Sequence, residues 1–85
     1  MNPEDVRLAS DAQLVVAIGR FRQDALAEVY RRHSGAAFGL ARRIAGERTL
    51  AEEVVQEVFL RLWNQPDRFD PARGSLRSYL SLIHI

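Results

Sequence analysis

Apolar residues in this chain recur at intervals of three and four, and no stretch alternates apolar with polar. That period is helical, and strand signals such as an Asn-Gly or Asp-Gly turn are absent from the sequence. Ser10 with Gln13 three residues on has capping-box spacing and opens a first helix. Leu14, Val15 and Ile18 give that helix an apolar side, and Gly19 is its expected stop. Asp24 is the expected N-cap of a second helix. Its stripe reads Leu26, Val29, Tyr30, His33, Ala37, Leu40, Ala41 and Ile44, and Gly46 ends it. The small run Ser34–Ala37 inside this helix is suited to close approach of a neighbour. Thr49 and Glu52 have the spacing of a second capping box, opening a third helix that Gln65-Pro66 closes, because the residue before proline disfavours helix. The segment 66–74 reads as a loop, and Ser75 caps a fourth helix whose apolar side is Leu76, Tyr79, Leu80 and Ile83. The pattern therefore predicts an all-α fold. It is a small bundle of about four helices, with the second and third forming a long antiparallel pair. The sequence stops inside the apolar pattern of the fourth helix and reads as C-terminally truncated.

The third helix has two faces. Val54, Val55, Val58, Phe59 and Leu62 share one side, as a core stripe requires. Glu53, Gln56, Glu57 and Leu60 share the other, with Trp63 at its margin, so Leu60 is expected to be well exposed and Trp63 partly so. Single exposed leucines are ordinary, and carboxylates early in a helix suit its dipole. The alternative is a partner site, an apolar anchor ringed by an amide and carboxylates that fits a basic, amphipathic partner.

Composition narrows the class. The chain has 85 residues, enough for one small domain. It contains no cysteine, which excludes disulfides and thiolate metal sites. No apolar run approaches the ~20 residues that span a bilayer, and the N-terminus lacks signal-peptide character, so a cytoplasmic location and no membrane partner are expected. Net charge is +1, neutral on the question of nucleic acid. All the basic residues are arginine, and they are segregated. Arg31, Arg32, Arg42 and Arg43 fall in the middle, expected to solvate the long helix. Glu47, Glu52, Glu53 and Glu57 follow, and then come Arg61, Arg68, Arg73 and Arg77.

The segment 51-AEEVVQEVFLRLW-63, followed by 69-FDPARGSLRSYL-80, resembles region 2 of bacterial RNA polymerase sigma factors of the extracytoplasmic-function type. The resemblance covers residues 11–80. It implies a transcription initiation factor domain that docks on the coiled coil of the polymerase β′ subunit and contributes to recognition and melting of the promoter −10 element. By position, Gln56 and Glu57 would be polar contacts to polymerase with Glu53 beside them, and Leu60 and Trp63 apolar anchors. The family often has an acidic residue where Leu50 stands and Asp where Glu53 stands. Arg73, Arg77 and Arg68 would hold DNA phosphates. Tyr79 stands where the family often has Trp, and its spacing with Leu76, Leu80 and Ile83 points to core packing. After Leu80 the chain departs from the family's continuation, which makes residues 81–85 atypical. An anti-sigma factor is a further partner the family implies, and no cofactor is expected.

Two rivals remain at this level. An enzyme would need a catalytic set, and none is visible. The two histidines, His33 and His84, are far apart, His33 lies on the core stripe, and no phosphate loop or H-E-x-x-H pattern occurs. The other is a generic helical protein-interaction module with no nucleic-acid role. The two readings separate at the basic loop, according to whether its arginines pair internally with Asp67 and Asp70.

Overall fold

The computed structural model describes residues 3–83, so His84 and the end of the atypical 81–85 segment lie outside the described residues. It is all-α. Five α-helices and two 3₁₀ turns follow in order: α1 (Pro3–Leu8), α2 (Asp11–Ile18), α3 (Gln23–Ala45), α4 (Arg48–Asn64), the turns Pro66–Arg68 and Pro71–Arg73, and α5 (Leu76–Leu82). The count of about four missed α1, which is too short to show a period. Its contribution is Val6, followed by Ala9, both buried in the core.

α3 organises the molecule, packing against α1, α2, α4 and α5. At 1.5 Å per residue its 23 residues span about 35 Å, and the long axis of the domain is 39 Å. Residues early in α3 face residues late in α4, and the reverse, so the two form the expected antiparallel pair. Leu14 and Ile18 of α2, Val29 of α3, Val58 and Leu62 of α4, and Leu76 and Leu80 of α5 meet as the most deeply buried side chains. Each contributes about 1.5–3 kcal/mol of burial.

Several local signals hold. Ser10 and Gln13 form a complete capping box on α2. Gly46 ends α3 in the left-handed region, at φ 80°, where its N–H donates to the Arg42 carbonyl. Ser75 caps α5 by accepting from the Ser78 N–H. Two caps differ. α3 begins one residue before Asp24, whose carboxylate instead takes two bonds from the Arg22 guanidinium. α4 begins before Thr49, and Glu52 pairs with Arg48 rather than closing a box. Arg48 takes the Glu52 carboxylate, whereas Arg22 shares that of Asp24 with the Ala25 N–H, which donates to it at 2.9 Å.

The α3 stripe also differs from expectation. Val29, His33 and Ala41 are buried, but Tyr30 and Ile44 are exposed. A β-carbon added at Gly35 would meet nothing and Ala36 is exposed, so within the small run only Ala37 packs against the core. The small residues that are fully buried are Ala25 and Ala51.

Arg32 does not solvate the helix. Its guanidinium reaches the carbonyls of Val6 and Arg7 at 3.3 and 3.0 Å, the Asp11 carboxylate at 3.2 Å and Glu28 at 2.7 Å. It thereby closes the C-terminal end of α1 and fastens α1 and α2 to α3. Glu28 is buried and accepts from both Arg31 and Arg32. Those hydrogen bonds, Arg31's first, hold its carboxyl at a pKa of about 2.

Candidate functional site

The outward face of α4 is arranged as its sequence predicts. Glu53, Gln56 and Glu57 are exposed, Leu60 is 55% exposed, and Trp63 is half-buried at the edge of the core. Opposite them Val55, Val58, Phe59 and Leu62 are buried. Glu57 approaches Arg61 at 3.5 Å across an exposed surface, a pairing that contributes little and leaves the carboxylate open to another partner. Glu53 makes no ion pair among the described residues. These oxygens can accept charge-assisted bonds from an incoming cation.

Beside this face lies a shallow apolar groove between α3 and α4. Leu26 and Tyr30 form one wall, and Gln56, Leu60 and Trp63 the other, with Phe59 between them. Tyr30 meets Phe59 edge-on at 4.9 Å between ring centroids. Trp63 closes one end, where Phe21 of the α2–α3 turn stands edge-on to it at 6.3 Å. Tyr30 and Phe21 were not among the expected site residues. Tyr30 has core spacing, and nothing in the segment 19-GRFRQ-23 marks Phe21.

The three arginines of the basic end part company. Arg68 and Arg73, one on each 3₁₀ turn, border the same shallow depression as Ser78 and Tyr79. The loop that carries them is pinned by Phe69, which is buried and stacks at a tilt on Tyr79, 5.4 Å away. Asp70 caps the second turn by accepting from the Ala72 N–H, and its distance to Arg73 is 3.9 Å. Arg73 is 89% exposed, so that contact does not withdraw it from solvent. Arg77 turns inward. Its Nε donates to His33 Nδ1 at 3.3 Å and its Nη2 to the Arg32 carbonyl at 3.2 Å. His33 is buried, and its other ring nitrogen meets Asp11 at 2.9 Å. This is the satisfied core histidine that its stripe position suggested, in the tautomer with the proton on Nε2. Tyr79 is half-buried against the core, as expected.

Among the described residues no group of His, Asp and Glu could hold a metal ion, and no helix is long and apolar enough to cross a membrane.

Comparison with known families settles the kinship of this arrangement. The model of the Sigma-70 region 2 family matches residues 29–84, which carry α4, the basic loop and α5. The chain belongs to the sigma-70 region 2 family. Among curated proteins it is similar to the ECF RNA polymerase sigma factor SigK of Mycobacterium bovis (strain BCG / Pasteur 1173P2), at 33% identity over 75 residues. The match to SigK of Mycobacterium tuberculosis is the same, and that of Mycobacterium sp. (strain KMS) is 31% identical over 62 residues. The first two alignments cover 87% of this chain and 40% of the relative, the third 72% and 32%. The chain thus spans about two-fifths of the length of the first of these relatives. No solved structure matches.

Proposed function

We propose that this sigma-70 region 2 domain serves transcription initiation by docking, through the outward face of α4, on the β′ coiled coil of core RNA polymerase in the cytoplasm. The observation that carries the reading is the composition of that face. Glu53, Gln56 and Glu57 surround Leu60 on solvent, while Ala51, Val55, Val58, Phe59 and Leu62 are committed to the core. A basic amphipathic helix would seat an apolar side chain against Leu60 and Trp63 and direct cations to Glu53 and Glu57. Gln56 would supply a two-way amide contact. The acidic rim also speeds encounter with a basic surface.

The basic loop is the proposed DNA side. Arg68 and Arg73 stand on rigid 3₁₀ turns, exposed and close together, as phosphate contacts near the −10 element require. Arg77 contributes by holding α5 against α3, which fixes the loop that precedes it.

The experiment is binding of the 85-residue chain to core RNA polymerase, comparing the natural sequence with Gln56→Ala and Glu57→Arg. Docking through this face requires each change to weaken binding tenfold or more, about 1.4 kcal/mol, with helical circular dichroism unaltered. Binding indifferent to both changes rejects the assignment of this face.

A further inference from the structure

Phe21 is the one residue other than glycine among the described residues with a positive φ, at 63°. A bulky aromatic residue is rarely found there, because its β-carbon crowds the backbone. The turn does not depend on this side chain for packing, since Phe21 is 80% exposed. The turn itself is secured without it: the N–H of Arg20 donates to Ala17 at 3.0 Å, and that of Arg22 to Ala17 at 3.1 Å. Glycine would serve the backbone better. The position therefore carries a strained, exposed aromatic ring that the fold does not need, and such residues concentrate at binding sites.

The location gives the ring a role. Phe21 stands edge-on to Trp63 at 6.3 Å. Trp63 is a wall of two adjoining depressions: the groove that contains Leu60 and Tyr30, and a second cleft bordered by Phe21, Val16 and Pro66. Leu60, Trp63, Phe21 and Val16 thus make one apolar path from the outward face of α4 across the end of the bundle, with Val16 59% exposed. The path is continuous with the acidic rim of Glu53 and Glu57, which among the described residues pair with no cation beyond the exposed Arg61.

We infer that Phe21 is a third apolar anchor of the polymerase-docking surface, contacted by the same basic amphipathic helix that seats on Leu60 and Trp63. The inference rests on the proposed docking face and extends it beyond α4 to the α2–α3 turn. The partner helix lies along the path with its cationic side toward Glu53 and Glu57 and its apolar side over Trp63 and Phe21. The edge-on contact with Trp63 already sets the Phe21 ring beside the groove before binding.

Phe21→Gly separates binding from folding, because it removes the ring and the backbone strain together. The expected result is a melting temperature equal to or above that of the natural chain, with affinity for core RNA polymerase at least fivefold weaker. Phe21→Leu, which restores an apolar side chain, should recover part of the lost affinity. Gln56→Ala is measured alongside. If Gln56→Ala weakens binding and Phe21→Gly does not, the docking face stands and Phe21 is no part of it. If neither change weakens binding, the docking face itself fails and this inference with it.

Discussion

The Arg77 guanidinium donates to Nδ1 of the buried His33, 3.3 Å away, and so ties α5 to the middle of α3. His33 in turn bonds Asp11 at the start of α2. One side chain on the last helix thereby joins a polar chain that reaches the second, across 66 positions of sequence from Asp11 to Arg77 (77 − 11). An arginine that the family resemblance implies as a DNA contact also bonds across the fold.

Removing it should cost stability. Arg77→Ala leaves the His33 acceptor buried without its donor, a loss of about 1–3 kcal/mol. Arg73→Ala removes an exposed side chain and should stay within about 0.5 kcal/mol of the natural protein. Urea denaturation followed by circular dichroism compares the two, and equal midpoints would reject the distinction drawn between these arginines.

Arg68 and Arg73 should matter to nucleic acid instead. In a sigma factor that contains this domain, bound to core polymerase, each arginine that contacts a phosphate of single-stranded −10 DNA steepens the salt dependence of binding. Its loss should reduce the slope of log K against log salt by about 0.7. Arg68→Ala and Arg73→Ala variants with an unchanged slope would remove these residues from the DNA surface.

Glu28 sets an acid limit. Its carboxyl is held at about 2, against an ordinary 4.5, by Arg31 and Arg32. A depressed folded-state pKa gives stability that is fully present above the unfolded value and disappears as pH falls through the folded one. The natural chain should therefore exceed Glu28→Gln in stability most clearly above pH 4.5, with the gap narrowing as pH approaches 2. Chemical denaturation at pH 7, 4 and 2.5 would test this, and a gap independent of pH would contradict it.

Two small-residue changes on helices should have opposite signs. Gly35 and its surroundings offer room for a methyl group, so Gly35→Ala should stabilise the domain by about 0.5–1 kcal/mol through backbone entropy. Ala51 is fully buried, and Ala51→Leu should destabilise by about 1–3 kcal/mol. Thermal melts of the two variants should bracket that of the natural chain.

The parts of this architecture that were legible in the sequence are those decided locally or by one clear period. Ser10 with Gln13, Gly46 and Ser75 each act within a turn or two of themselves, and α4 shows its two faces in its own spacing. The remainder depends on what lies opposite. Tyr30 and Ile44 have the period of buried residues, but periodicity says which side of a helix is apolar, not how far its neighbours reach along it. The spacing points to Asp24 as a cap and to Glu52 as the box partner of Thr49, but Asp24 divides its carboxylate between the Arg22 guanidinium and the Ala25 N–H, and Glu52 pairs with Arg48 instead. Arg32 looked like surface charge because α1, whose carbonyls it closes, is too short to announce itself. At the candidate site, Leu60 and its acidic rim followed from α4 alone, whereas Tyr30 and Phe21 join it only when α3 and the turn before it are packed alongside.

Trp63 is the only tryptophan in the chain, and it stands at the junction of the groove with the Phe21 cleft. The intrinsic indole emission of this protein therefore originates at a single known place, on the border of the surface where a partner is expected. A tryptophan-free ligand that covers the ring would dry its surroundings and move the emission toward the blue, and because Pro66, Asp67 and Pro71 border the same cleft as Trp63, a ligand on that side of the loop would be sensed as well. The molecule carries its own optical probe for a partner arriving at this end of the bundle, with no label attached.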